Sequence, residues 1–175
     1  MEAPGKVIAI ILMILVLFLA PLAYFTQRQD TLMQNYVYSI TKEFVNEIQQ
    51  TGKITKEAYD DFILELDASG NVYDVQLIHS HKTITPKYQY TTVDNVITDD
   101  VTEYFSETYT DAILSSIYEE IDETYYLTKG DYITIKVTNK NKTLGTKLLQ
   151  ITSMHSIDTA QLMAVYGGEI QDEID

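Results

Sequence analysis

The chain is 175 residues long, contains no cysteine and carries a formal net charge of −14, with 12 Lys+Arg against 26 Asp+Glu. Without thiols there can be no disulfide staple, thiolate zinc site or cysteine nucleophile, and the acidic balance repels phosphate, so nucleic acid is not an expected partner. Past an apolar beginning, about 145 residues remain, enough for one domain with its own core.

The apolar beginning is the run Val7–Phe25, VIAIILMILVLFLAPLAYF, with no charged side chain. As a helix it spans roughly 28 Å, close to the hydrocarbon thickness of a bilayer, and a lone segment crossing lipid must be helical. Val7, Ile10, Ile14, Leu17, Pro21 and Phe25 are therefore read as membrane-anchor positions, within an anchor covering residues 1–27. Pro21 lies near the end of the run, where a kink leaves the centre of the span intact. The competing reading is a cleaved signal peptide. Against it stand the length of the run, the single basic residue Lys6 beside Glu2, and Pro21 close to the best cleavage position after Ala23. The charges flanking the run barely distinguish its two orientations. The N-terminus is expected inside and the domain outside, and all the net negative charge belongs to residues 31–175.

From residue 28 to 50 the helical period continues. Met33, Val37, Ile40, Phe44 and Ile48 recur at spacings of four and three and form one packing stripe. One long helix is expected, in lipid over its first half and packed on a domain over its second, with a break near Gln27–Asp30 as the alternative. Gly52 supplies a stop. Thr55 can cap a second helix with Glu57 in its first turn, burying Ala58, Tyr59, Phe62, Ile63 and Leu66 and ending in the turn formers of 67–71. From Val72 to His81 the period drops to two, which predicts a strand with Tyr73, Val75, Leu77, His79 and His81 on one face.

Lys82–Thr98 reads as a loop around Pro86, with a short edge strand near Tyr88–Thr92. A third helix is expected from Asp99 or Asp100 to Asp122, lined inwardly by Val101, Phe105, Ala112, Ile113, Ile117 and Ile121, with a weak point at Thr108–Thr110. Tyr125–Leu127 and Tyr132–Asn139 around Lys129-Gly130-Asp131 read as a hairpin, with Ile133, Ile135 and Val137 inward. A short helix over 143–150, a strand over 159–166 stopped by Gly167-Gly168, and a fraying acidic tail over 169–175 complete the reading. The domain, residues 28–168, is expected to be α+β, its helices packed on a small antiparallel sheet. The 14 tyrosines and 21 threonines favour such a sheet.

No catalytic constellation stands out, and no cofactor or metal is expected. Asp67, Ser69, Asn71 and Asp74 lack the glycine and acid spacing of a calcium loop. His79-Ser80-His81 puts two imidazoles on one strand face, a spacing metal sites use, but His155 is the only other histidine. Surface histidines at a strand end are the simpler reading. The adjacent acids Asp60-Asp61, Asp99-Asp100 and Glu119-Glu120 read as solvated, and glycine-rich phosphate loops, Gly-x-Ser-x-Gly and His-Glu-x-x-His are all missing.

Taken together, the anchor, the polar helix, Thr51–Phe62, Leu66–His79, Gly130–Leu144 and the closing Tyr166-Gly-Gly resemble small membrane-anchored pseudopilin-like proteins of Tad-type pilus loci in Gram-positive, clostridial bacteria. The resemblance covers nearly the whole chain and implies a noncatalytic structural or assembly subunit of a surface filament or envelope machine. The implied partners are the lipid bilayer and other membrane or pilus-assembly proteins, or further copies of the chain. One departure is plain: with Gly5 as processing site, the fifth following residue is Ile10, where many type IV pilins carry glutamate. The alternative is a membrane-tethered extracytoplasmic module that binds or senses a ligand.

Overall fold

The computed structural model describes residues 3–88, 97–141 and 161–171. The first element, α1 (Ala3–Thr51), is one unbroken helix that contains Pro21. The expected single long helix is therefore present, without the alternative break at 27–30. Its two halves live in different surroundings. From Val7 to Phe25 the large apolar side chains are solvent-facing, Phe18 being 72% exposed, and the most apolar window of the helix has nothing packed over it. Farther along, Val37 and Val45 are fully buried, with Ile40, Phe44 and Ile48 beside them and Met33 packed on their margin. Thr41, buried in this stripe, satisfies its hydroxyl by donating to the Val37 carbonyl at 2.7 Å. A helix that must serve both an apolar exterior and a domain core has this division written in its spacing.

Gly52 ends α1 with φ 62°, its N–H bonded to the Ile48 carbonyl at 2.8 Å, a left-handed stop that costs glycine nothing. After the short strand β1 (Lys53–Thr55), the Thr55 hydroxyl oxygen accepts from the Ala58 N–H and caps α2 (Lys56–Asp67). Its buried face, Tyr59, Phe62 and Leu66, meets α1, where Phe62 stacks on Phe44 with ring centroids 4.4 Å apart.

The principal sheet is four-stranded and antiparallel, in the order β3-β2-β5-β6, from β2 (Tyr73–Tyr88), β3 (Ile97–Tyr109), β5 (Tyr132–Asn139) and β6 (Gln161–Glu169). Between β3 and β5 lie α3 (Thr110–Glu119) and β4 (Thr124–Tyr126). Ile133, Ile135 and Val137 point inward from β5 and are completely buried, as their alternation predicts, and Leu77 joins them from β2. The protein is α+β: among the described residues, a long helix and two short ones accompany antiparallel sheet.

Several expectations need correction. Residues 82–88 are not a loop and 97–109 are not the start of a helix: β2 continues to Tyr88 and pairs with β3, and helix begins only at Thr110, while residues 89–96, with most of the edge strand expected near Tyr88–Thr92, lie outside the described residues. Phe105 is accordingly exposed, as is Ile121 beyond the end of α3, whereas Ile113 and Ile117 are buried as expected. The side chain of Val101 lies outside the described residues. The supposed hairpin of 125–127 with 132–139 does not form, because β4 pairs with β1 and β5 with β2 and β6. Nor does Gly167-Gly168 end the last strand; both residues pair with β5, β6 runs on to Glu169, and Ile170 after it is buried. The helix expected over 143–150 and the tip of the acidic tail lie outside the described residues.

Candidate functional site

The first candidate surface is the apolar half of α1. Val7, Ile10, Ile14 and Leu17 are 55–65% exposed, and Phe25 is equally bare. Hydroxyls bordering the span are satisfied within the helix: Thr26 Oγ1 donates to the Leu22 and Ala23 carbonyls, and Thr31 Oγ1 to that of Gln27. The chain thus has one helix long and apolar enough to cross a membrane among its described residues.

The second feature is a polar cluster at the sheet end nearest the close of α1. Its centre, Asp131, is 2% exposed. It follows a turn in which the Asp131 N–H donates to the Thr128 carbonyl at 3.0 Å and Gly130 takes φ 91°, the positive φ demanded at the third position of a type II turn. Strand pairing then brings in β2. Ser80 lies opposite Tyr132, so the next cross-strand step sets His81 beside Asp131. His79, two residues back on the same face, reaches the same carboxylate.

Both carboxylate oxygens are saturated. Oδ2 lies 2.9 Å from His79 Nε2 and accepts the Thr128 N–H at 2.9 Å; Oδ1 lies 2.9 Å from His81 Nδ1 and accepts the Lys82 N–H at 3.1 Å. Burial pushes the Asp131 carboxyl up, but hydrogen bonds from His81, the Thr128 N–H, His79 and the Lys82 N–H outweigh it and hold the group below its ordinary range. On the far side of His79, Nδ1 lies 2.7 Å from the Tyr125 hydroxyl. Burial lifts the Tyr125 phenol above its usual value, a hydrogen bond with Thr108 opposes this, and the negative charge of Asp131 adds to it. An ionised carboxylate only accepts, so the histidine nitrogens facing Asp131 carry protons, and a neutral His79 then accepts from Tyr125 at Nδ1.

This overturns the reading of His79 as a surface histidine at a strand end: it is 6% exposed and lies in the interior of a sixteen-residue strand. Only His81 faces solvent, its side chain 46% exposed. The two imidazoles do share a face, as alternation predicts. What sequence reasoning missed is Asp131, assigned there only to a turn. The alignment of Asp131 with His81 follows only once β2 is known to pair with β5, which alternation within each strand does not specify. The acids Asp60 and Glu119-Glu120 do not converge on this cluster; Asp60 instead accepts from the Tyr118 hydroxyl.

The chain was compared with protein-family models, with curated proteins and with solved structures. None of them matches it.

Proposed function

We propose that the protein is a noncatalytic, membrane-anchored structural or assembly subunit of a pilus-like cell-envelope machine, with its N-terminus inside and its acidic domain outside. The observation that carries this reading is the division of α1, bare and apolar up to Phe25 and built into the domain core from Val37 onward. A helix shared in this way fixes the domain rigidly above the bilayer, as a subunit that stacks through its neighbours requires. The resemblance to Tad-type pseudopilins points the same way.

Crosslinking in intact membranes tests it. Lipid-embedded neighbours or ladders of the chain itself are expected, and a chain that remains a monomer without partners contradicts the proposal. The second reading, a tethered ligand-binding module, draws on the hollow between α1 and the end of α2 lined by Leu32, Met33, Tyr36, Ala68 and Asn71. Thermal stabilisation by a small ligand, lost on Tyr36→Ala, would favour it.

A further inference from the structure

We propose that His79, His81 and Asp131 form a binding site for a divalent transition-metal ion of the zinc class. Each of the three residues offers a ligand atom, and these atoms all lie within 4.8 Å of one another. Two imidazoles and one carboxylate are a donor set that zinc accepts in sites with an open fourth position. Bonds of about 2.0–2.1 Å in a tetrahedron place donors roughly 3.3 Å apart. Each imidazole lies 2.9 Å from a different oxygen of Asp131, so these two pairs need to spread by a few tenths of an ångström, while the separations that run up to 4.8 Å close toward the same value as one oxygen turns to the ion.

The surroundings fit an ion as well as the donors do. His79 and Asp131 are held from behind, His79 by Tyr125 and Asp131 by the N–H groups of Thr128 and Lys82, as ligands with preset orientation are. His81 is half-exposed, which opens the cluster to solvent on one side and gives an ion an entry path. The chain's net charge of −14 concentrates cations around it.

Binding needs no change in net protonation of neutral imidazoles. His79 passes its proton from Nε2 to Nδ1, which then donates to the Tyr125 oxygen instead of accepting from its hydroxyl. His81 passes its proton from Nδ1 to Nε2, on the ring's other side. Nε2 of His79, Nδ1 of His81 and one oxygen of Asp131 are left to hold the metal.

The full chain in detergent micelles, stripped with chelator, is titrated with Co2+ and then Zn2+. One equivalent of Co2+ should give the visible absorption of a tetrahedral N/O site, Zn2+ should abolish it, and Zn2+ should raise Tm. His81→Ala, at a half-exposed position, should eliminate the band and the Tm shift while leaving the fold intact by circular dichroism. Tyr125→Phe should keep the band but weaken affinity about tenfold, as loss of a partner behind a ligand does. Long-range nitrogen–proton spectra should report the His79 tautomer exchange on adding Zn2+. A chain with no band and no Tm shift overturns the proposal and leaves a hydrogen-bonded structural carboxylate. Metal binding that His81→Ala leaves unchanged overturns it equally, because the ion then sits elsewhere on the acidic surface.

Discussion

Gln49, in the last turn of α1, donates its side-chain amide to the backbone carbonyl of Glu169 at 2.8 Å across 120 positions of sequence. The Gln49 carbonyl also accepts from the Gln171 N–H at 2.9 Å. The helix that begins with the apolar run is therefore closed onto β6 and the residues just after it. The second half of α1 is thereby part of the same packed body as the sheet.

That closure is narrow. A methyl added at Gly168 would overlap the Gln49 side-chain amide, and one at Gly167 would lie 2.7 Å from the Ile133 carbonyl oxygen and 3.1 Å from Thr134 Cα. The Gln49 amide can swing aside, so Gly168→Ala should cost about 1 kcal/mol, roughly one hydrogen bond. The β5 backbone cannot move away, so Gly167→Ala should cost more, about 1–3 kcal/mol. Urea denaturation of both variants gives the order, and the reverse order contradicts the packing described.

Phe44 is 4% exposed and stacked on Phe62, whereas Phe105 is 52% and Ile121 100% exposed. Phe44→Ala should lose about 3–5 kcal/mol. Phe105→Ala and Ile121→Ala should stay within about 0.5 kcal/mol of the parent. If the two exposed positions prove as costly as Phe44, the strand assignment of 97–109 and the end of α3 at Glu119 are both wrong.

The Asp131 carboxyl is depressed in the folded chain, so its contribution to stability is complete above the unfolded carboxylate pKa of about 4. It is lost as pH falls through the lower folded value. Stability followed from pH 6 downward should decline in this acid window, and Asp131→Asn should be less stable at pH 6 and show a shallower decline. An unchanged acid profile in that variant would remove Asp131 from the account of the cluster.

Tyr118 moves the other way. Burial raises its phenol to about 12, aided by the hydrogen bond to Asp60 and the charge of that carboxylate. A raised phenol stabilises the fold below the unfolded value near 10, and that contribution disappears as pH rises through the folded one. Ultraviolet titration of phenolate should show a late-titrating tyrosine, and Asp60→Asn should bring it to lower pH. No late tyrosine in the parent would mean that the Tyr118–Asp60 bond is not held in solution.

Much of this was legible in the sequence where one face is buried. The α1 stripe Val37, Ile40, Phe44 and Ile48, the Thr55 cap, the Gly52 stop and the inward face of β5 all follow from period and capping chemistry. The outer part of the β2–β3 hairpin was not. Beyond Ser80, β2 has β3 alone beside it, and Thr83, Ile84 and Tyr104 to Glu107 are exposed, so no apolar contrast marks the strand period. Pro86 read as a break because it cannot serve a central ladder. It is tolerated where β2 is paired on one side only, next to a register shift. The His79–Asp131 contact was hidden for another reason: it depends on which strands pair, and β4 sits beside β1 rather than β5.

The most direct test is the mass of the mature chain recovered from cell membranes after alkaline carbonate washing. The account predicts a wash-resistant protein whose N-terminus lies before Val7, so that all of Val7–Phe25 is retained. A freely soluble product beginning after Ala23 would contradict it, because the domain would then stand without its anchor.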